Sequence, residues 1–326
     1  MKKLLALTLA LLMMLACFAS CAPKTPDEIR VYTLNGTTGF GMAKMIADHK
    51  DDATMKFEVK TDAADVTAAL IAGTVDIAAL PTNAAANVYN KTEGGVKILA
   101  VNTLGCLYLL TKEGTTVSTF ADLAGKTVYA PAQNPTFIFT DLCKQNGLVP
   151  GTDITIDSTT YAKPEALKEA VASGAVDVAV LPEPMVTVAT SAAKKNNITW
   201  KVALDLTAEW DKVHDAGSLV QGCIVVRTEW AKAHAKELAE FLRDYRASIK
   251  FTNDEPESAA AYIVSTGVFA GKEAVAAKAI PNCNIVYIDG DEMAENLSIF
   301  FEKLYSVNPN AVGGKIPDEN IYYGKK

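Results

Sequence analysis

Apolar positions along the 326-residue chain fall into distinct patterns. Leu4 to Leu15 is an almost unbroken apolar run that follows Lys2 and Lys3. Beyond it, short apolar runs such as Val75–Leu80 and Val176–Leu181 alternate with stretches whose apolar residues recur at helical spacing. A short unbroken run between turn residues predicts a strand covered on both faces, as in a parallel sheet flanked by helices. Arg30–Leu34 and Lys126–Ala130 have the same character. Each leads into a polar loop and then a helix, through Met45 and Leu142 respectively. Strands alternating with helices predict an α/β fold with parallel sheets and right-handed crossovers.

The pattern is doubled. Residues 66–83 (VTAALIAGTVDIAALPTN) and 167–184 (LKEAVASGAVDVAVLPEP) align at an offset of 101, matching Gly73 with Gly174, Val75 with Val176 and Asp76 with Asp177. Ala78, Leu80 and Pro81 match Ala179, Leu181 and Pro182 in the same register. Such self-similarity marks two copies of one supersecondary unit. In each copy a helix ends on a glycine suited to a left-handed C-cap. A buried strand follows, and a proline, which cannot donate to a sheet ladder, stops it. Asp76 and Asp177 read as structural, ahead of the strand.

The second half adds helices over Glu229–Lys250, Pro256–Ser265, Lys272–Ala279 and Glu292–Leu304. Asp289 and Glu292 have capping-box spacing. Met293, Leu297, Phe300, Phe301 and Leu304 form a helical stripe that reads as core. The apolar segments Leu104–Thr111 and Leu219–Arg227 read as paired crossing strands between two Rossmann-like lobes. Lobe one then covers 27–104 plus 224–326 and lobe two 105–223, a layout that permits hinge closure on a ligand.

The N-terminal run is a secretory signal: a positive start, an apolar core too short for a comfortable membrane span, then small residues. No later stretch reaches the roughly 18 apolar residues that a membrane-spanning helix needs. The cleavage region resembles a bacterial lipobox. Leu15-Ala16-Cys17 and Ala19-Ser20-Cys21 compete, and Cys21 is preferred because small residues precede it and the polar mature chain begins directly after it. Residues 1–20 are thus expected to be a lipoprotein signal peptide and Cys21 the lipidated N-terminus, anchoring the protein to the membrane on its extracytoplasmic face. The later cysteines, Cys106, Cys143, Cys223 and Cys283, match neither a zinc pattern nor a close-set disulfide framework. Free buried thiols are expected, although an exported protein can pair some of them.

With 49% hydrophobic and 21% charged residues the composition is that of an ordinary globular protein. The net charge of −7 becomes −9 once residues 1–20 and their two lysines are removed. No basic block exists to neutralise phosphates, which excludes a nucleic-acid partner.

The lipobox, a strand followed by Asn35-Gly36-Thr37-Thr38-Gly39, the doubled Gly-x-Val-Asp-x-Ala and Leu181-Pro182-Glu183-Pro184 together resemble the ABC-transporter substrate-binding proteins of the nitrate/sulfonate/taurine and thiamine-precursor group. The resemblance covers nearly the whole mature chain. It implies the type II periplasmic-binding fold, strand order 2-1-3-n-4 in each lobe, and an ABC permease with its ATPase as partners. A monomer without cofactor is expected.

In open α/β sheets ligands bind beyond the carboxyl ends of the strands. On lobe one those loops hold Asn35, Gly36, Thr37, Thr38, Asp62, Thr82, Asn83 and Asn102. On lobe two they hold Gln133, Asn134, Thr136, Tyr161 and Glu183. The Asn35–Gly39 loop opens a helix, so its amides and positive dipole end could hold an anion or polar head group, with Gly36, Gly39 and Gly41 permitting close approach. Thr37 or Thr38 could equally cap that helix. Tyr161 could stack on a ring, or lie exposed on its loop. The absence of arginine and lysine from these positions disfavours a bidentate carboxylate clamp. The inventory suits an alkylsulfonate bearing an amino group, an aminopyrimidine or a similar neutral heterocycle. Gly39-Phe40-Gly41 is a poor dinucleotide fingerprint, because Lys44 stands where the third glycine belongs. His49, His214 and His234 lie apart with no metal-ligand spacing, and no nucleophile elbow, phosphate loop or catalytic cysteine signature occurs. An enzyme of the pyrimidine-forming kind that shares this fold is disfavoured, since its histidine and cysteine-rich motif are missing. A ligand-sensing lipoprotein would have the same cleft. The lipobox yields one direct test. Cys21→Ser should release the protein from membranes with ligand affinity unchanged, whereas lipid labelling that survives in Cys21→Ser and is lost in Cys17→Ser identifies the other register.

Overall fold

A computed structural model describes residues 28–325; the signal segment with Cys17 and Cys21 lies outside the described residues. The chain builds two sheets. The first orders its strands β11-β4-β10-β3-β1-β2, from β1 (Ile29–Leu34), β2 (Met55–Lys60), β3 (Ile77–Pro81), β4 (Val96–Leu104), β10 (Val220–Arg227) and β11 (Ile285–Ile288). The second is ordered β7-β6-β8-β5-β9, from β5 (Leu107–Lys112), β6 (Thr127–Tyr129), β7 (Thr155–Asp157), β8 (Val178–Pro182) and β9 (Trp200–Asp205). Both follow the order 2-1-3-n-4. The inserted strand n is β10 in one sheet and β5 in the other, and each runs antiparallel to both neighbours. This α/β architecture with two sheets is the type II periplasmic-binding fold that the resemblance implies.

The repeat is reproduced down to its hydrogen bonds. Gly73 and Gly174 both close their helices in the left-handed region, at φ 71°. In the first copy Gly73 N–H donates to the Leu70 carbonyl and Thr74 N–H to that of Ala69. Gly174 and Ala175 repeat this onto Val171 and Ala170, satisfying carbonyls that the helix end would otherwise leave free. Pro81 and Pro182 are the last residues of β3 and β8.

The two aspartates differ. Asp76 is buried and accepts hydrogen bonds from the Arg30 backbone N–H (3.0 Å), Arg30 Nε (3.2 Å) and Nη2 (3.1 Å), and Arg227 Nη1 (3.3 Å). It clamps the start of β1 to the end of β10. Asp177 is exposed and pairs with Lys112.

Three expectations need correction. The helix expected over Glu229–Lys250 is two, Thr228–Ala233 and Ala235–Asp254, broken at His234, whose φ of −128° is not helical. The Asp289 side chain makes no capping bond to its helix and pairs instead with Arg246 at 2.7 Å. Cys223, expected at the second crossing between lobes, lies in mid-strand, paired with Leu80 and Val101. β10 belongs whole to the first sheet, so residues 220–223 do too, and the second passage falls within 206–219.

The stripe Met293, Leu297, Phe300, Phe301, Leu304 is buried as core along the helix Gly290–Val307. That helix lies on the first sheet and also meets the second passage: Phe300 packs edge-on against Trp210 at 5.8 Å. One apolar cluster runs through this contact and joins residues of both sheets. Cys106, Cys143, Cys223 and Cys283 are buried and unpaired. Among the described residues no helix is long and apolar enough to cross a membrane, and no group of three or more His, Cys, Asp or Glu is placed to hold a metal.

The repeat supplies its own control for the buried clamp. Asp76→Ala should cost about 3 kcal/mol, because it strips a buried acceptor from two guanidinium groups. Asp177→Ala, at the equivalent exposed position, should cost under about 1 kcal/mol. Urea unfolding of both variants measures the contrast, and equal losses would contradict it.

Candidate functional site: a cleft between the two sheets

The chain passes from the first sheet to the second at Gly105 and Cys106 and returns before Val220. The first passage is tied to the start of β10, where Cys106 N–H donates to Gln221 Oε1 at 2.7 Å, and it packs against the second at Gly105. Gly105 has no room for a side chain, since a Cβ there would lie 2.2 Å from Thr207 Oγ1 and 2.5 Å from Leu219. This junction sets loops from both sheets around one cavity of about 230 Å³.

The first sheet contributes Asn35, Gly36, Thr37, Thr38, Pro81 and Thr103, and Gln221 comes from β10. Gly36 turns the chain at φ 88°, in the region that favours glycine. The helix that follows spans only Thr37–Phe40, a single turn, and a second begins at Ala43. The one helix through Met45 expected from sequence is thus interrupted, and a single turn carries little of the dipole expected to hold an anion. Gly39 and Gly41 serve packing instead of a ligand: a Cβ on Gly39 would meet the Leu34 carbonyl at 2.1 Å, and one on Gly41 would meet Ile249 at 2.6 Å.

The second sheet's side contributes Asn134, Pro135, Pro164, Glu165, Pro182, Glu183, Pro184 and Met185, with Cys106 at the crossing. The sides touch where Thr37 Oγ1 donates to the Glu183 carbonyl at 2.5 Å. The Glu183 carboxylate is buried and accepts from the backbone N–H (3.2 Å) and Oγ1 (2.9 Å) of Thr187, closing the first turn of the helix Met185–Lys195. Burial pushes its pKa above the ordinary glutamate value, a rise that the two Thr187 bonds and Lys278 oppose. Burial likewise pushes the Cys106 thiol up to about 12, so it is present as S–H.

Of the positions expected at the site, Asn35, Gly36, Thr37, Thr38, Asn134 and Glu183 line this cavity; the others do not. Asp62 caps the helix Ala63–Ala72 by accepting from Ala64 N–H, and its carboxylate lies 3.9 Å from Lys163 of the opposite side. Thr82 is fully buried and donates to the Val220 carbonyl; Asn83, beside it in the first turn of the helix Thr82–Lys91, is also buried. Asn102 sits behind the site: its Nδ2 donates to Tyr245 OH (2.9 Å) and the Thr38 carbonyl (3.3 Å), orienting the Thr38 loop. Gln133 is exposed, Thr136 Oγ1 donates to the Pro131 carbonyl, and Tyr161 packs edge-on against Tyr129 at 5.5 Å.

Sequence reasoning missed the prolines, Thr103, Cys106, Glu165, Met185 and Gln221. Pro81 and Pro182 carried a usable signal, because matched prolines ending both repeat strands stand at carboxyl edges. Thr103 and Gln221 carried none, since they sit on strands paired antiparallel across the crossing.

The sequence profile of the family described as "ABC transporter, phosphonate, periplasmic substrate-binding protein" matches residues 42–269. A search of curated proteins finds no match. Among solved structures, an ABC transporter protein from Parabacteroides distasonis superposes with a TM-score of 0.74 at 22% identity, covering 92% of this chain and 100% of that one. The periplasmic aliphatic sulphonate binding protein SsuA from Escherichia coli gives 0.72 at 15%, covering 93% and 94%. The periplasmic nitrate-binding protein NrtA from Synechocystis PCC 6803 gives 0.56 at 14%, covering 78% and 69%. At these identities the likenesses speak for the fold, whereas the profile spans more than half of the sequence. The chain belongs to the family of periplasmic substrate-binding proteins of ABC transporters.

Proposed function

We propose that this protein captures a small polar organic molecule between its lobes and delivers it to an ABC permease and its ATPase, while held as a monomer on the extracytoplasmic membrane face by a lipid on Cys21. The observation that carries the reading is a cavity fed by strand-end loops of both sheets beside the double crossing. Its volume of about 230 Å³ lies just under the usual range for ligand pockets, which supports a compact ligand. Alkylsulfonates and aminopyrimidines are of this size. Asn35, Gly36, Thr37, Thr38, Asn134 and Glu183 are the proposed contacts. The remaining expected positions act from behind or at the rim, as Asn102 does on Thr38. The lobes divide as 28–104 plus 220–325 and 107–205, with the hinge at Gly105–Cys106 and within 206–219.

Thr37 to Glu183 and Asp62 to Lys163 are polar contacts across the cleft that a hinged opening would break. Small-angle scattering of the ligand-free protein should show a larger radius of gyration than at saturation with a small-molecule extract of the native host. An identical profile in both conditions counts against the hinge.

Glu183 gives a second test. Its pKa is raised by burial, so the stability of its protonated form is fully present below the ordinary carboxyl value and lost as pH rises through the raised one. Glu183→Gln, uncharged yet able to accept from Thr187, should melt above the parent near pH 7 and match it near pH 4. A lower melting temperature near pH 7, on the scale of a lost cap at about 0.5–2 kcal/mol, would mean that the Thr187 bonds outweigh burial.

A further inference from the structure

We propose that Gln221 couples an occupied cavity to the hinge: its carboxamide oxygen holds the first passage while its nitrogen serves the cavity as a donor. The inference rests on the capture reading above and adds a positioning residue to it.

Gln221 stands at the start of β10, half-buried, and lines the cavity. Its Oε1 accepts from Cys106 N–H at 2.7 Å. A backbone N–H can only donate, so this bond fixes which end of the carboxamide is oxygen. Nε2 is the other end. Among the described residues no group accepts from it, yet it is not sealed in the interior. An unpaired amide donor at a cavity is satisfied by water or by whatever displaces the water.

The oxygen end acts on the hinge. A hinge turns through the φ and ψ of a few residues, and Gly105 and Cys106 form the first crossing. The Cys106 N–H changes direction with those angles, so a side chain that holds it restrains them. From Cys106 the hydrogen bonds run on around the cavity. The Cys106 carbonyl accepts from Glu183 N–H at 2.9 Å, and the Glu183 carbonyl accepts from Thr37 Oγ1 at 2.5 Å. All four residues line the cavity. The run starts and ends on the first sheet's side and passes through the second sheet's side between, so parting the lobes breaks it. A partner on Nε2 locks the carboxamide with its oxygen toward Cys106, and hydrogen bonds in series strengthen one another. An empty cavity leaves the amide free to turn, and the hold on Cys106 loosens.

The test uses the mature protein, a small-molecule extract of the native host as probe, and two variants. Gln221→Glu keeps an acceptor for Cys106 N–H and removes the cavity donor. Gln221→Met, of similar length, removes both. The rise in melting temperature over a dilution series of extract gives the binding midpoint, and small-angle scattering gives the contraction. Gln221→Glu should need about tenfold more extract than the parent, the scale of one lost hydrogen bond. At saturation it should contract as the parent does, since the carboxylate still holds Cys106. Gln221→Met should need at least as much extract, yet at saturation keep a larger radius of gyration than the saturated parent. That combination separates coupling from a folding role, which would leave the midpoint of Gln221→Glu unmoved. Gln221→Glu that binds as well as the parent or better overturns the inference. So does Gln221→Met that contracts as far as the parent, and both results leave the capture reading standing. An extract that moves neither melting nor scattering of the parent overturns both.

Discussion

The double crossing of the chain is the constraint on which the rest depends. Each sheet completes itself with a strand that the chain supplies as it passes over, β5 on the way out and β10 on the way back. These strands run antiparallel to β8 and β3, so both passages lie at the same edge of the two sheets. The carboxyl ends of the parallel strands are thereby brought to face each other, and that is where an open α/β sheet can bind a ligand. The packing of Gly105 against Thr207 and Leu219 holds the two passages together and the bond from Cys106 to Gln221 ties the first of them to β10, so the cavity is a consequence of topology more than of any loop.

The repeat shows how one pattern takes on different physical roles. Its glycine caps, buried strands and terminal prolines are matched because backbone geometry demands them in both copies. Its aspartates are not matched in role, because their partners come from outside the repeat. β1 and β10 each bring an arginine to Asp76, making a buried clamp, while Asp177 meets only a lysine near solvent.

Much of the fold was legible because it is written in short-range signals. Apolar runs, a 101-residue offset and two Gly-x-Val-Asp-x-Ala copies were enough to place β1, β3, β6, β8 and the crossing strands β5 and β10, whereas β2, β4, β7, β9 and β11 were given no bounds. What failed was decided by tertiary partners. Asp289 has the spacing of a capping box, but Arg246 arrives from another helix and takes its carboxylate. Cys223 looked like a crossing because its strand is apolar throughout, and nothing local marks where such a strand belongs. At the site, the loop after β1 and the residues Asn134 and Glu183 follow from the carboxyl-edge rule. Asp62, Thr82 and Asn102 obey the same rule yet turn away, to a helix N-terminus, to Val220 and to Tyr245. A side chain's direction is set by the nearest unsatisfied backbone group or buried hydroxyl, which a strand-end rule does not contain.

The apolar seam limits how such a molecule can open. Trp210 lies against Phe300, and its Nε1 donates to Ser218 Oγ at 2.8 Å. Beside it His214, within the second passage, meets Asp141 of the helix Asn134–Gln145 at 2.5 Å. Separating the bodies here would expose large aromatic surface and break a buried His–Asp contact, at a cost of several kcal/mol. Opening the cleft at Thr37 and Glu183 costs far less, because few polar contacts hold it. The distribution of contacts therefore favours, for the proposed opening, a rotation that pivots on the seam and the Gly105 passage. Under such a motion the wall around Asn134, carried by the helix that also anchors Asp141, moves as one piece with the second body.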